Sequence, residues 1–203
     1  MNLKVIHINE YTNVQMYECM KNYFSDNLIV PENILCIYTT NSQAIQINKI
    51  IKLYISCNSV ITDATACIGG NSIFFIRDFK RVNLVEKDFK NFQILKLNTN
   101  CPESTFNCSY NWVKFMLTQD VVYFDPPWGG TEYKSKKKID LYLDNINVLK
   151  IINEIYNYTR IVALKVPNNF DVSRIDNTFW YHKIHNVIKN KKSIYKIIVF
   201  YKS

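Results

Sequence analysis

Three short apolar runs in this chain end on an acidic residue, and that pattern constrains the fold more than any other feature. Residues 59–62 run into Asp63, residues 81–85 into Glu86, and residues 120–124 (DVVYF) into Asp125. Segments of helical spacing at 72–79 and 89–95 follow the first two, and apolar spacing over 141–158 predicts one long helix behind the third. With a short strand at 105–108 and a helix at 112–117 the order up to 124 is βαβαβαβ, and the helix over 141–158 leads to a fifth strand at 160–166 (RIVALKV). Such alternation predicts an α/β domain, its sheet mostly parallel with helices on both faces. Two final strands, 183–188 and 193–201, joined by a basic turn, predict an antiparallel hairpin at the sheet edge and seven strands in all. Upstream, 41–55 reads as an amphipathic helix with Asn41 or Ser42 as N-cap. Residues 1–36 read as a helical lead-in, leaving 37–203 as a single domain.

Glycine marks where such a sheet would work. The chain has four glycines, and they fall in two pairs, Gly69-Gly70 and Gly129-Gly130. Glycine is required where the backbone takes positive φ or approaches a ligand without a Cβ. Ligands of open α/β sheets bind beyond the carboxyl ends of the strands, which is where both pairs lie. The first turn, DATACIGGN, sets Asp63 at a strand end and glycines at a helix start, so that a cofactor could lie on bare backbone. Glu86, at the next strand end, offers two acceptor oxygens to the hydroxyls of a ribose. A purely structural strand-to-helix turn is the competing reading.

The second turn, Asp125-Pro126-Pro127-Trp128-Gly129-Gly130, is the more specific. Its prolines fix φ, remove two N–H donors and leave carbonyls free as acceptors. A carboxylate and a proline carbonyl together accept both hydrogens of an exocyclic amino group, which aims the nitrogen lone pair. Positioning of that kind can lower a barrier by about 7–11 kcal/mol. Trp128 offers a flat face worth about 1–3 kcal/mol to a stacked base.

These segments resemble a known family. DATACIGGN, VNLVEKD and VVYFDPPWGGTEY together are similar to the trimethylguanosine synthases, Rossmann-like class I enzymes that methylate N2 of the 7-methylguanosine RNA cap. The resemblance implies S-adenosylmethionine as cofactor, held by Asp63, Ala64, Thr65, Gly69, Asn71, Glu86 and Asp125. It implies Asp125, Pro126 and Trp128 as the residues at the target amine. It further implies capped RNA as partner, with Tyr38, Thr39, Trp128, Tyr133, Lys134, Lys136 and Asn168 on the substrate side. A cationic 7-methylguanine over an indole gains about 2 kcal/mol when desolvated. Lysines 134 and 136–138 would then meet the cap phosphates. One departure stands out: the family carries an acid after its third strand and this chain does not, leaving Ser109 or Asn111 for the adenine. Methylation of adenine N6 or of another guanine, and a non-catalytic RNA-binding subunit, are the competing functions.

The formal charge of +8, concentrated in KSKKK (134–138) and KNKK (189–192), suits a polyanionic partner. The six cysteines form no CxxC pair, which argues against a zinc site or a disulfide framework; reduced and mostly buried thiols are expected. His7, His182 and His185 show no metal-ligand spacing, and Trp112 and Trp180 read as packing residues. No apolar run spans a membrane and the start has no signal-peptide pattern, so an intracellular monomer, cytoplasmic or nuclear, is expected. The richness in Asn, Ile, Lys and Tyr suggests an AT-rich genome, such as that of a large DNA virus or a protist.

Overall fold

The computed structural model describes residues 5–7, 29–31, 39–100 and 104–202. A seven-stranded sheet organises the chain: β3 (Val60–Asp63), β4 (Arg81–Val85), β5 (Thr105–Phe106), β6 (Val121–Phe124), β9 (Ile161–Val166), β10 (Tyr181–Lys189) and β11 (Lys192–Tyr201). Its order is β10-β11-β9-β6-β3-β4-β5. The five strands from β5 to β9 are parallel, and β11 pairs antiparallel with both β9 and β10. From β3 the chain steps outward through β4 to β5, then crosses back to lay β6 on the other side of β3. That reversal between β3 and β6 opens the crevice in which doubly wound sheets hold ligands.

β6 and β9 are buried at every position, as central strands covered on both faces must be. One face packs on α1 (Asn41–Ile51), α2 (Ser72–Asp78) and Leu95 of α3 (Phe89–Thr99), through Ile47, Ile51, Phe75 and Phe79. The other face packs on α4 (Tyr110–Val113) and α5 (Val148–Glu154), through Tyr110, Val148, Leu149, Ile151 and Ile152. Among the described residues no helix is long and apolar enough to cross a membrane.

Several expectations are corrected. α1 is capped by Thr40, whose N–H donates to Gln43 Oε1 at 3.2 Å, not by Asn41 or Ser42. The long helix over 141–158 is broken: β7 (Tyr142–Leu143) and β8 (Ile146–Asn147) form a hairpin before α5 begins. Asp144 and Asn145 take left-handed backbone at its turn (φ 52° and 64°), which these two residue types tolerate best after glycine, and Asn147 then caps α5. Within the expected N-terminal helical region, Val5–His7 (β1) and Ile29–Pro31 (β2) instead pair as antiparallel strands. The backbone of Ile29 is gripped from both sides by the Asn98 side chain of α3, which satisfies the edge that a helix would have closed on itself. Trp112 is 77% exposed, whereas Trp180 is buried with its Nε1–H donating to Ile152 O. Nor are the described cysteines fully buried: Cys57 is exposed, and Cys67 and Cys108 are half-buried free thiols. Cys19, Cys36 and Cys101 lie outside the described residues.

Candidate active site

Register brings the two marked turns together. Asp63 pairs with Tyr123 across the parallel β3–β6 ladder, so the loops that leave these strands depart from the same sheet edge. They are also joined directly, because the backbone N–H of Asp125 donates to Thr65 Oγ1 at 2.7 Å.

The cofactor-side loop is built around buried carboxylates. Asp63, 1% exposed, accepts from Ser72 Oγ at 2.7 Å and from the Thr65 N–H at 3.3 Å. Burial outweighs those hydrogen bonds and pushes its carboxyl up to about 7, with Asp125 and Glu86 adding like-charge repulsion. Glu86 takes the N–H of Cys67 on Oε2 at 2.8 Å and that of Asp88 on Oε1 at 2.7 Å. Burial raises its carboxyl too, against those backbone donors. Each Glu86 oxygen keeps a further lone pair. Cys67 sits at φ 50°, held in the left-handed region by its bond to Glu86, and burial pushes its thiol up to about 12. Asn71 is buried and donates to Thr39 Oγ1 at 3.3 Å, while its Oδ1 has no protein partner among the described residues. Ala64 is buried at the same loop, 4% exposed.

Gly69 is required for packing as well as for its turn. Its φ is +101°, and a Cβ there would meet Thr99 Cγ2 at 3.1 Å and Leu95 Cδ1 at 3.3 Å. The missing side chain lets the loop seat on α3.

On the acceptor side, Pro126 is buried, Asp125 is partly exposed, and the Trp128 indole is boxed by aromatic rings. Tyr133 meets it edge-on at 5.2 Å between centroids (83°) and Tyr195 at 6.2 Å (66°). Trp128 Nε1 is buried without a protein partner among the described residues. Gly129, at φ +91°, turns the chain into a 3₁₀ segment (Gly130–Ser135) that carries Tyr133 and the exposed Lys134. Lys134 Nζ stands 6.0 Å from the Tyr133 centroid, and Lys136 is exposed just beyond.

Three site residues escaped the sequence reading. Lys165, the one charged residue of β9, is 5% exposed and donates to Asp125 Oδ2 at 2.7 Å and to Thr39 Oγ1 at 3.0 Å. Asn169 anchors the loop after Trp128, donating to Tyr133 O at 2.7 Å and Lys136 O at 2.8 Å. Its neighbour Asn168, the expected substrate residue, is instead exposed and exchanges hydrogen bonds with Ser193 of the terminal hairpin. The third is Asp144. The β7–β8 turn delivers its carboxylate to Ser109 Oγ and to Lys87 Nζ, the latter at 2.6 Å, beside the end of β5. Burial opposes ionisation there, but the bonds from Lys87 and Ser109 outweigh it and lower the Asp144 carboxyl. The β7–β8 turn thus brings a carboxylate to the end of β5 from about 35 residues later in the chain. Ser109 is committed to Asp144 and to capping α4 through the Asn111 N–H. Tyr38 lies outside the described residues.

Comparison with known proteins decides the family. A family model described as RNA cap guanine-N2 methyltransferase matches residues 57–201. The chain belongs to this family. An uncharacterised Acanthamoeba polyphaga mimivirus protein, L320, is 32% identical over 149 residues, which cover 69% of this chain and 56% of that protein. The chain thus aligns with little more than half the length of this curated relative. In fold it is similar to a Porphyromonas gingivalis protein provisionally described as a methyltransferase (TM-score 0.67, 10% identity, 93% of this chain and 47% of that one). It is also similar to an rRNA methylase from Streptococcus thermophilus (TM-score 0.55, 9% identity, 78% and 95%). The family is one of methyltransferases and the fold is a Rossmann-like sheet, which together imply S-adenosylmethionine as the cofactor. The residues present fit that cofactor: a cationic sulfonium meets a cluster of carboxylates, Glu86 has lone pairs to spare, and the buried Asn71 Oδ1 awaits a donor.

Proposed function

We propose that the protein methylates the exocyclic N2 amine of a 7-methylguanosine RNA cap. The observation that carries this reading is the 2.7 Å bond from the Asp125 N–H to Thr65, which locks the amine-facing loop to the cofactor-facing loop at one strand end. S-adenosylmethionine, when bound, supplies an activated methyl group on a cationic sulfur. Glu86 receives the ribose hydroxyls, Asp63 and Asn71 the amino-acid end, and Asp144 stands where the adenine amine needs an acceptor. Asp125 and the Pro126 carbonyl accept the two hydrogens of the target amine, and Trp128 stacks on the guanine. The amine, once it carried the methyl group, would shed a proton, for which Asp125 or solvent is the acceptor. Holding that geometry is the main contribution required of the protein.

Selectivity for the cap rests on Trp128 and the lysines beyond it. A base carrying a positive charge gains more from an indole face than a neutral one does, and Lys134, Lys136 and Lys137 lie exposed where phosphates would follow. Capped RNA is the proposed partner and the monomer the proposed working unit. Mass spectrometry of products from capped RNA, uncapped RNA and adenine-containing DNA tests the reading. Methyl incorporation confined to the cap guanine is expected, and incorporation into adenine or internal guanine would replace it. Absence of calorimetric heat with S-adenosylmethionine would point to a binding subunit instead.

A further inference from the structure

A lysine buried in a central strand is expensive unless its charge is matched. In β9 (IVALKV) every other residue is apolar, and all six positions are buried. Strand alternation puts Lys165 on the same face as Ala163, and the β6–β9 register (Phe124 opposite Leu164) brings it beside Asp125 one step on. Its ammonium has three donors. One goes to Asp125 Oδ2 and one to Thr39 Oγ1. Around them lie aromatic faces, Tyr195 at 4.7 Å and Trp128 at 5.6 Å from the ring centroids. A single side chain thereby touches the amine-facing carboxylate and stacking indole of one loop, the lip before α1 and Tyr195 of β11, which come from three separate parts of the chain.

We propose that Lys165 is the positioning residue of the methyl-transfer site: it holds Asp125 by Oδ2 as an ionised, fixed acceptor and leaves Oδ1 for the amine. This inference rests on the amine-methylating reading given above. Among the described residues Oδ1 has no protein partner, so it is the oxygen free to receive an N–H. The charge matters as much as the aim, because a protonated Asp125 would present a donor where the amine needs an acceptor. Asp63 on β3, Cys67 in the cofactor-side loop, Tyr123 on β6 and Tyr195 on β11 all feel the negative charge of that carboxylate. Lys165 is the cation bonded to it.

The test compares Lys165→Met, Lys165→Arg and wild type on a 7-methylguanosine dinucleotide, with thermal stability and calorimetric cofactor binding measured alongside. Lys165→Met should lower kcat at least tenfold, leave the S-adenosylmethionine Kd within about threefold, and move the acid limb of the kcat profile to higher pH. Lys165→Arg should restore most of the turnover. The melting temperatures of Lys165→Met, Asp125→Asn and the double variant should be non-additive, since each single change strands the other member of the pair. Turnover within twofold of wild type in Lys165→Met, an unmoved pH profile, or additive melting shifts would overturn the proposal. Wild-type enzyme that methylates another base instead of the cap would sink the cap reading alone, and the same kinetic comparison on that base would then judge Lys165.

Discussion

Replacing Asp63 by asparagine probes the electrostatics of the cofactor loop in a way that separates stability from function. The folded protein holds the Asp63 carboxyl at about 7 against an ordinary 3.8, chiefly because the group is buried. Between those values the folded chain binds a proton that the unfolded chain has released, so this site's contribution to stability falls as pH rises through the window and levels off above about 7. From about pH 5 to about pH 7 that is two pH units at about 1.4 kcal/mol each, or about 3 kcal/mol. Asparagine carries no charge to bury, and it sacrifices about 1 kcal/mol because its amide cannot accept from both Ser72 and the Thr65 N–H. The stability difference, variant minus wild type, should therefore rise by up to about 3 kcal/mol between about pH 5 and pH 8, at roughly 2–4 °C per kcal/mol. Glu86 titrates in the same direction in both proteins and cancels. Scanning calorimetry of the two cofactor-free proteins across that range reads the effect. S-adenosylmethionine affinity of the variant should drop at least tenfold. Melting curves with the same pH slope in both proteins would refute the assignment of a buried, proton-holding Asp63.

Other outcomes follow from the same geometry. Trp128→Ala should abolish most methylation of a 7-methylguanosine cap and erase the preference over unmethylated guanosine caps, while cofactor affinity by calorimetry stays near normal; near-normal turnover would end its stacking role. Asp125→Ala should depress kcat by a larger factor than it weakens cap binding, as steady-state kinetics and fluorescence titration can separate. Gly69→Ala should cost about 1–3 kcal/mol, because alanine is strained at φ +101° and its Cβ collides with Thr99 and Leu95. Thermal denaturation reads that loss directly.

The parallel core was legible because three of its strands, β3, β4 and β6, announce themselves twice, as an apolar run and as an acidic residue at the carboxyl end. Asp63, Glu86 and Asp125 are such residues, and they mark the side of the sheet that binds ligands. The β7–β8 hairpin was hidden because Leu141, Val148, Ile152 and Ile155 also satisfy helical spacing; only the Asp144-Asn145 pair hinted at a turn. Asp144 could not be assigned to the cofactor side for the same reason, since its partners Lys87 and Ser109 lie far away in sequence. Lys165 was overlooked because RIVALKV reads as a buried strand whatever its fifth or sixth residue does. A lysine inside such a run is a signal in its own right, since burial without a partner would unfold the strand. Trp112 shows the opposite error: size and hydrophobicity suggest packing, yet α4 has four residues and too little face to cover it.

The hydrogen bond from the Asp125 backbone to the Thr65 hydroxyl carries a mechanical implication. Donor and acceptor halves of the reaction do not ride on independent hinges; they behave as one jaw whose gap is preset by the sheet. Changes to the aromatic lip at Trp128 and Tyr133 can therefore retune which base enters while the distance over which the methyl must travel stays the same.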